Sequence, residues 1–330
     1  MQKFQNIVGA DLSKKTIDLF CHQTNQHLQI DNSTKGFKVM LGWFKQQKIL
    51  PSNTLLAMEH TGLYSYCFEG FLQQRSIPFV KSSALAIKKS IGIVRGKTDK
   101  IDARRIARYA FEKQASLKPD QPVSKDLQRL QMLHATRERL VKQRTALLNS
   151  IKEYSNIGLT KLDVIMQSQA RLVKQFEKEI KKIEVVMDQL IEGDTKLQKN
   201  FRLLLTIKGV GKVAAIATLV KTKNFSRFSN ARKFACYCGT APFEHSSGSS
   251  VRGKTKVSNL ADKRMKCLLD LCAKSAIQYD KELHEYYLKR VEMGKSKMST
   301  INIVRNKIIY RMFAVIKRQT PFVENYLKIA

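Results

Sequence analysis

Four carboxylates in the first third of the chain have the types and positions of a site for phosphodiester chemistry. They are Asp11, Glu59, Asp99 and Asp102. The first two each follow a short apolar run typical of a strand, and the last two are three residues apart, so on a helix they share one face. Sites in open α/β sheets form at the C-terminal ends of strands. We therefore expect the four acids to converge.

Converging carboxylates repel one another, so at neutral pH they need a bound cation or raised pKa values. Carboxylate oxygens are hard ligands that suit Mg²⁺ or Mn²⁺ rather than zinc. Two such ions can clamp the attacking and leaving oxygens of a phosphodiester. The sequence thus predicts a divalent-metal site, with nearby Asp18 as the acid to test against Asp11. Glu69 is expected to face solvent.

A basic cluster surrounds the acidic pair at 99 and 102. Its members are Lys88, Lys89, Arg95, Lys97, Lys100, Arg104, Arg105 and Arg108. Lys and Arg displace counterions from nucleic acid, so this cluster predicts contact with phosphates. A solvated helix face is the alternative interpretation.

Two further segments carry glycine or serine in patterns with possible chemistry. The run from Gly239 to Ser258 holds a Ser-Ser-Gly turn flanked by His245 and several basic residues, and it could present a hydroxyl to a phosphate. A serine nucleophile needs activation, and most Ser/Gly runs are simply loops.

Ile207–Lys212 (IKGVGK) resembles the glycine turn of a helix-hairpin-helix, whose backbone N–H groups approach phosphate. A plain helix-helix turn is equally compatible with this sequence, and a P-loop is excluded.

The acids require a sheet to position them, and the pattern of residues 5–113 predicts one. The predicted strands are Asn6–Ala10, Thr16–Cys21, His27–Ile30, Leu55–Met58 and Phe79–Val80, and the predicted helices span residues 34–47, 62–74 and 84–93. Strands first and β-α-β alternation afterwards favour a mixed α/β sheet with helices packed on it.

Residues 124–200 change to a helical heptad pattern. The predicted seam contains Leu133, Leu140 and Leu147, then Leu172, Phe176, Ile180, Ile183, Met187 and Leu190, with a break near 155–159. Such a/d spacing predicts two long antiparallel helices or an arm that pairs with another copy. An ordinary helical bundle is the alternative. Residues 201–330 form a third region that ends in basic amphipathic helices.

The composition narrows the class of protein. The chain has 330 residues and a net charge of +33, which favours a polyanionic partner, nucleic acid first and an anionic membrane surface second. No apolar run is long enough for a membrane span, and the start does not read as a secretory signal. Six cysteines form no disulfide framework, so a reducing cytoplasm is expected. A zinc site from Cys236, Cys238 and His245 is conceivable, but buried free thiols are favoured.

The motifs taken together resemble a known family, the DEDD transposases of insertion sequences, which include the pilin-gene invertase and the bridge-RNA-guided recombinases. The resemblance covers essentially the whole chain. The segments that carry it are GADLSK, AMEHTGLY, KTDKIDARRIA, GVGKVAA and GTAPFEHSSGSSVRGKTKVS.

The resemblance implies a RuvC-like, ribonuclease-H-type domain over 1–120, a coiled-coil arm over 121–200 that pairs protomers, and a mainly α transposase domain over 201–330. It implies that Asp11, Glu59, Asp99 and Asp102 bind Mg²⁺ or Mn²⁺. It also implies a serine nucleophile directly before a glycine, which is Ser247 here, with Ser246 adjacent. The family acts on DNA through a covalent phosphoserine, combines the two sites across subunits of a homo-oligomer (a dimer, or a tetramer on DNA), and in some members uses a structured guide RNA.

Three functions are compatible with these motifs. The first, favoured by the resemblance, is a DNA transposase or recombinase with metal and serine chemistry. The second is a metal-dependent, structure-specific nuclease, which needs only the acids and leaves no protein–DNA adduct. The third is a nucleic-acid-binding protein without catalysis.

Overall fold

The chain folds into two compact units, Met1–Pro122 and Val123–Ala330. The computed structural model describes residues 4–60, 62–92, 98–247 and 251–323. Within those ranges, the side chains of seven residues are outside the description. These are Ile91, His245, Ser246, Ser247, Val251, Arg252 and Lys254.

The first unit is built on a five-stranded mixed sheet. Its strands are β1 (Asn6–Leu12), β2 (Thr16–Cys21), β3 (Gln26–Asp31), β4 (Thr54–Glu59) and β5 (Phe79–Ser82). Their order across the sheet is β3-β2-β1-β4-β5. The β1–β2 and β2–β3 pairs are antiparallel, whereas β1–β4 and β4–β5 are parallel. β1 and β4 are therefore central neighbours that run in the same direction.

Helices cover both faces of this sheet. They are α1 (Thr34–Gln46), α2 (Tyr66–Gln74), α3 (Ala84–Ile91) and α4 (Asp99–Lys113), with 3₁₀ turns at Pro51–Asn53 and Gly62–Ser65. Successive strand residues point to opposite faces. Val8 and Met58 pack in one apolar cluster with Phe37 of α1. Ile7 and Leu55 pack in another with Ile106 of α4. The sheet is thus buried on both sides.

The two strands that carry acids of the predicted site extend beyond their predicted ends. β1 continues to Leu12, so Asp11 lies inside the strand rather than after it. β4 continues to Glu59, which is its last residue. The predicted strands stop at the last apolar residue of each run. The observed strands are longer because a polar residue also pairs with the neighbouring strand through its backbone.

The second unit begins with a long helical hairpin, α5 (Lys125–Asn156) and α6 (Val164–Gly193). The two helices are antiparallel, since Arg137 pairs with Glu184 near the base and Ser150 bonds Gln169 further along. The break between them falls where the heptad pattern predicts it. One predicted seam position is wrong. Leu172 is 49% exposed, and its neighbour Val173 is buried instead. Met166, Val173, Ile180 and Met187 recur at seven residues and form the buried stripe.

The rest of the second unit is mainly helical. Its elements are α7 (Thr195–Leu205), α8 (Lys212–Lys221), α9 (Ala231–Tyr237), β6 (Pro242–Ser247), β7 (Val251–Val257), α10 (Lys263–Tyr279), α11 (Lys281–Glu292) and α12 (Lys297–Arg318). The antiparallel pair β6–β7 forms a separate two-stranded sheet. The apolar core joins α7–α10 and α12, with Leu204, Phe234 and Ile308 wholly buried.

The observed class is a mixed α/β unit followed by a mostly helical one. The ribonuclease-H-type assignment, the coiled-coil pairing and the three domain boundaries stay predictions. Among the helices that the structure describes, none combines the length and apolar character needed to cross a membrane.

Candidate functional site

Asp11 and Glu59 lie on the same face of the sheet, toward α4. On β1, Ile7 and Asp11 are four residues apart, so both point to the side that α4 covers. On β4, Leu55 and Glu59 have the same relation. The parallel register pairs Ala10 with Met58, so the two acids are the next positions along adjacent strands. The carboxyl ends of β1 and β4 therefore bring these two acids together.

The first turn of α4 carries the other two acids. Thr98 caps the helix by accepting a hydrogen bond from the Ile101 N–H at 3.3 Å, which fixes where the helix begins. Asp99 is exposed and Asp102 is half-buried. Ala103, the residue after Asp102, packs against β1 at Gly9. The start of α4 thus lies over the sheet face that holds Asp11.

Gly9 is what lets α4 come so close. A Cβ at this position would lie 2.2 Å from the Ala103 carbonyl oxygen and 2.4 Å from the Ala107 amide nitrogen, both of them backbone atoms. Neither can move unless the whole helix moves. Because Gly9 has no side chain, the start of α4, which carries Asp102, lies close to the strand that carries Asp11.

We expect Gly9→Ala to lower the free energy of unfolding by about 2 kcal/mol or more, because overpacking forces the helix away from the strand. DNA cleavage should fall with it, since Asp99 and Asp102 move away with α4. Gly42→Ala is the matched control. A Cβ there meets nothing within 4 Å, and alanine is the better helix former. Thermal melts and a cleavage assay measure both effects, and an unchanged melt for Gly9→Ala would show that α4 is seated differently.

Asp11 is the electrostatic centre of the acidic group. Burial, followed by the charges of Asp102, Asp99, Glu59 and Asp18 in that order, raises its pKa to about 6. Repulsion of this kind is what a bound cation relieves. The other three predicted acids therefore act electrostatically on Asp11. That the four acids form one metal site stays a prediction.

Asp18 also lies beside Asp11, but its carboxylate is already occupied. The two residues are directly opposed in the β1–β2 register. Oδ1 of Asp18 accepts a hydrogen bond from His27 Nε2 at 2.7 Å, and Oδ2 accepts one from Gln29 Nε2 at 3.0 Å. Both oxygens are thus satisfied within the sheet. This supports its use as the comparison residue rather than as a ligand.

The donor set fits a hard divalent cation, although the described residues form no closed cage. No group of three or more His, Cys, Asp or Glu side chains is close enough to hold a metal ion anywhere in the described ranges. Asp102 instead binds the Arg105 Nη1 at 2.8 Å. The guanidinium of Arg105 partly neutralises the charge of the Asp102 carboxylate. The oxygen chemistry and the raised pKa of Asp11 are what fit Mg²⁺ or Mn²⁺.

Basic side chains flank the acids on α4. Arg104 lies over the Phe20 ring, with its guanidinium carbon 5.6 Å from the ring centroid. Arg108 pairs with Glu112 at 2.8 Å. Lys88 and Lys89 are in the last turn of α3. Arg95 and Lys97 lie outside the described residues, so phosphate contact by the whole cluster stays a prediction.

The expectation for Glu69 is wrong. Its side chain is only 17% exposed and pairs with Lys81 Nζ of β5 at 2.5 Å. The Ser65 hydroxyl donates to the other carboxylate oxygen at 2.6 Å. Glu69 therefore anchors the segment that follows β4. No sequence pattern predicts this pair, because Lys81 lies on a different element of the chain.

In the second unit, the candidate serines lie at the end of β6. The backbone register pairs Ser246 with Arg252 and Ser247 with Val251. Their side chains, and those of His245 and Lys254, are outside the description. The serine assignment therefore stays a prediction, but its place at the closed end of a hairpin is defined.

The base of that hairpin is fixed to α12 by residues that the sequence analysis missed. The Asn302 and Asn306 side-chain amides each donate to the Thr240 carbonyl oxygen at 2.8 Å. Arg232 Nη2 donates to the Pro242 carbonyl oxygen at 3.0 Å. Two asparagines one helical turn apart beside an apolar stripe are the signal that could have found this clamp.

The other two candidate motifs have structural explanations. Cys238 is fully buried, and burial raises the pKa of its thiol, which disfavours the thiolate that zinc requires. In IKGVGK, Gly209 has φ +87°, and a Cβ there would lie 2.5 Å from the Cys272 carbonyl oxygen of α10. The glycine turn connects α7 to α8. Its contact with phosphate stays a prediction.

Comparisons with known proteins point the same way. A family model for DEDD transposases, described as "Transposase", matches residues 8–154. A second, described as "Transposase IS116/IS110/IS902 family", matches residues 201–288. The chain is 28% identical to a pilin gene-inverting protein of Moraxella bovis, over 96% of this chain and 97% of that protein. It is 24% identical to a probable family 20 transposase of Pseudomonas aeruginosa, over 82% and 84%.

The matched ranges include all four acids of the first unit and the serine hairpin of the second. The resemblance suggested by the motifs is thus confirmed. The chain belongs to the IS110 family of DEDD transposases and is a DNA transposase or recombinase.

Proposed function

We propose that this protein cuts and rejoins DNA by a serine attack assisted by divalent metal, through a covalent phosphoserine intermediate. The observation that carries the proposal is the placement of Asp11 and Glu59 on one sheet face beneath the first turn of α4, which bears Asp99 and Asp102. The family matches support transposition and recombination in general, and the following steps are our proposal.

The acids are proposed to hold Mg²⁺ or Mn²⁺ at the scissile phosphate. When bound, the ion stabilises charge that develops on the phosphate oxygens. Asp11 and Glu59 supply fixed oxygens from the strands, and Asp102 would exchange its contact with Arg105 for the cation.

The nucleophile is proposed to be Ser247. Its Oγ forms a bond to phosphorus as the bond to a deoxyribose oxygen breaks, and the serine proton passes to solvent while the leaving oxygen takes up a proton. The phosphoserine ester conserves the energy of the broken linkage, so a second deoxyribose hydroxyl can reverse the step without ATP. A water nucleophile would leave a free end instead.

The assembly is proposed to be a homo-oligomer, a dimer or a tetramer on DNA, with the α5–α6 hairpin as the arm that pairs protomers. The acidic site of one protomer would act with the serine of another. We also propose a RuvC-like domain over 1–120, an arm over 121–200 and a transposase domain over 201–330. A structured guide RNA is proposed as the reader of the DNA sequence. The name of the Moraxella relative, a pilin gene-inverting protein, supports strand exchange rather than simple cutting.

The test is a search for a covalent protein–DNA complex. Purified protein is incubated with end-labelled DNA from its element and Mg²⁺, and the products are separated on a denaturing gel. We expect label to travel with the protein and to be lost when EDTA is present. Peptide mapping should place the nucleotide in Gly239–Ser258. Cut DNA without any protein-linked label would instead establish a metal-dependent nuclease, the alternative function.

A further inference from the structure

We infer that an exposed apolar wedge in the segment that follows β4, the strand that carries Glu59, stacks on unpaired bases of the DNA strand whose phosphate is processed at the acidic site. The wedge consists of Leu63, Tyr64 and Tyr66, which are 74%, 49% and 42% exposed. The inference rests on the proposed function only in taking DNA as the ligand of the acidic site.

The wedge is directly linked to the turn that follows Asp11. The side-chain amide of Asn32 donates to the Ser13 carbonyl oxygen at 2.9 Å and to the Tyr64 carbonyl oxygen at 3.0 Å. One nitrogen thus holds both segments. Since the 3₁₀ turn Gly62–Ser65 also begins three residues after Glu59, the wedge is tied to both strands that carry the central acids.

The segment that carries the wedge is also held in place by contacts of Ser65 and of helix α2. Ser65 is buried and bonds Glu69, which pairs with Lys81 of β5. Phe68 and Leu72 of α2 pack in the core under the sheet. Leu63, Tyr64 and Tyr66 are exposed within four residues of the chain, and a cluster of exposed apolar groups is typical of an interaction site. The support explains how the wedge stays exposed.

The charge around the wedge favours nucleic acid as its partner. Lys14 and Lys15 are exposed in the turn that Asn32 joins to Tyr64. A strand whose phosphates meet these lysines would present its bases to the tyrosines. Aromatic rings stack on any base, and an apolar side chain can enter between base steps. A leucine next to two tyrosines fits unpaired bases better than a duplex surface.

The experiment measures binding to forked DNA that carries 2-aminopurine in an unpaired arm, in Ca²⁺ to prevent cleavage. Stacking quenches this fluorophore. We expect the full-length protein to quench it. The double variant Tyr64→Ala/Tyr66→Ala should lose the quenching and bind the fork about tenfold more weakly, with little change for a fully paired duplex of the same sequence.

Two further variants keep the result interpretable. Tyr64→Phe/Tyr66→Phe keeps the rings and should quench normally, which a loss of folding would not allow. Tyr310→Ala removes an equally exposed tyrosine of α12, 52% exposed, and should bind like the parent. Full quenching by the alanine pair would overturn the inference. So would a fall in oligomer mass of the DNA-free alanine variant in sedimentation, which would make the wedge a contact between copies.

This outcome is separable from that of the proposed function. Quenching without any covalent complex in Mg²⁺ would remove the serine mechanism and leave the wedge in place. A covalent complex without quenching would do the opposite.

Discussion

Asp11→Asn should abolish DNA cleavage and, at the same time, stabilise the metal-free protein. Cleavage falls because the variant loses a carboxylate oxygen of the proposed metal site. Removal of one group that stabilises transition-state charge costs about 10²–10³ in kcat. Stability rises because the amide carries no charge. Burial and the charges of Asp102, Asp99, Glu59 and Asp18 raise the pKa of Asp11 to about 6, so its ionised carboxylate destabilises the folded state.

The pH dependence of the stability gain follows from the direction of that shift. An acid whose folded pKa lies above its unfolded value binds more protons in the folded state between those two values, so stability falls as pH rises through this interval. Below about pH 4 the wild type is protonated in both states and the amide brings no gain. The gain develops up to about pH 6 and persists above it. Allowing for solvent screening of a half-exposed group, we expect about 1 kcal/mol.

Asp18→Asn is the matched control. Both oxygens of Asp18 accept hydrogen bonds from His27 and Gln29, and an amide cannot accept at both positions. We therefore expect this variant to be less stable than the wild type and to keep its cleavage activity. Thermal melts from pH 4 to 8, with and without Mg²⁺, separate the two. Mg²⁺ should stabilise the wild type and Asp18→Asn but not Asp11→Asn.

The opposite pattern would change the assignment of the metal ligand. If Asp18→Asn abolished cleavage while Asp11→Asn remained active, β2 rather than β1 would supply the ligand. A rise in melting temperature without loss of cleavage would leave Asp11 as a strained acid with no role in catalysis.

The sequence predicts which strands and which helix carry the four acids, because that signal comes from neighbouring residues. An apolar run that ends in an acid places that acid at a strand end, and Asp99 and Asp102 at i and i+3 share a helix face. Strand alternation then puts Asp11 and Glu59 on the same side once β1 and β4 are parallel neighbours. Gly9 supplied no such signal, because its role depends on Ala103 and Ala107, almost a hundred residues away.

Long-range contacts explain the errors as well. Glu69 was expected in solvent because its partner Lys81 lies on another element. Leu172 was placed in the helical seam because leucine and valine at adjacent positions give almost the same heptad pattern, and only packing selects Val173. The clamp of Asn302 and Asn306 on Thr240 joins residues more than sixty positions apart. The spacing of the two asparagines marks a polar pair on α12, but it does not identify Thr240 as the partner.

The second large effect is expected from the serines at the end of β6. Ser247→Ala should abolish both the covalent complex and strand exchange, because alanine has no oxygen to form the bond to phosphorus. Loss of a nucleophile commonly costs 10³-fold or more, on the order of 10⁶ in a well-studied serine hydrolase. DNA binding should be unchanged, since a neutral hydroxyl adds little to an affinity dominated by phosphate contacts.

Ser246→Ala decides between the two adjacent hydroxyls. Consecutive strand residues alternate between the two faces of a sheet, so we expect unequal effects rather than a shared role. Ser246→Ala should retain the covalent complex with a loss of at most about tenfold. Ser258→Ala is a control from the same segment; its hydroxyl accepts a hydrogen bond from the Leu260 N–H at 3.1 Å, and it should keep full activity.

The variants of the two proposed sites are expected to differ in their response to Mg²⁺, so the results distinguish serine attack from water attack. A variant without the nucleophile keeps its acids, so Ser247→Ala should still be stabilised by Mg²⁺, whereas Asp11→Asn should not. If Ser246→Ala alone removed the complex, the nucleophile would be one position earlier than the family resemblance implies. If neither single alanine nor the double variant removed DNA cleavage, water would be the attacking group, and the acids of the first unit would suffice for the reaction.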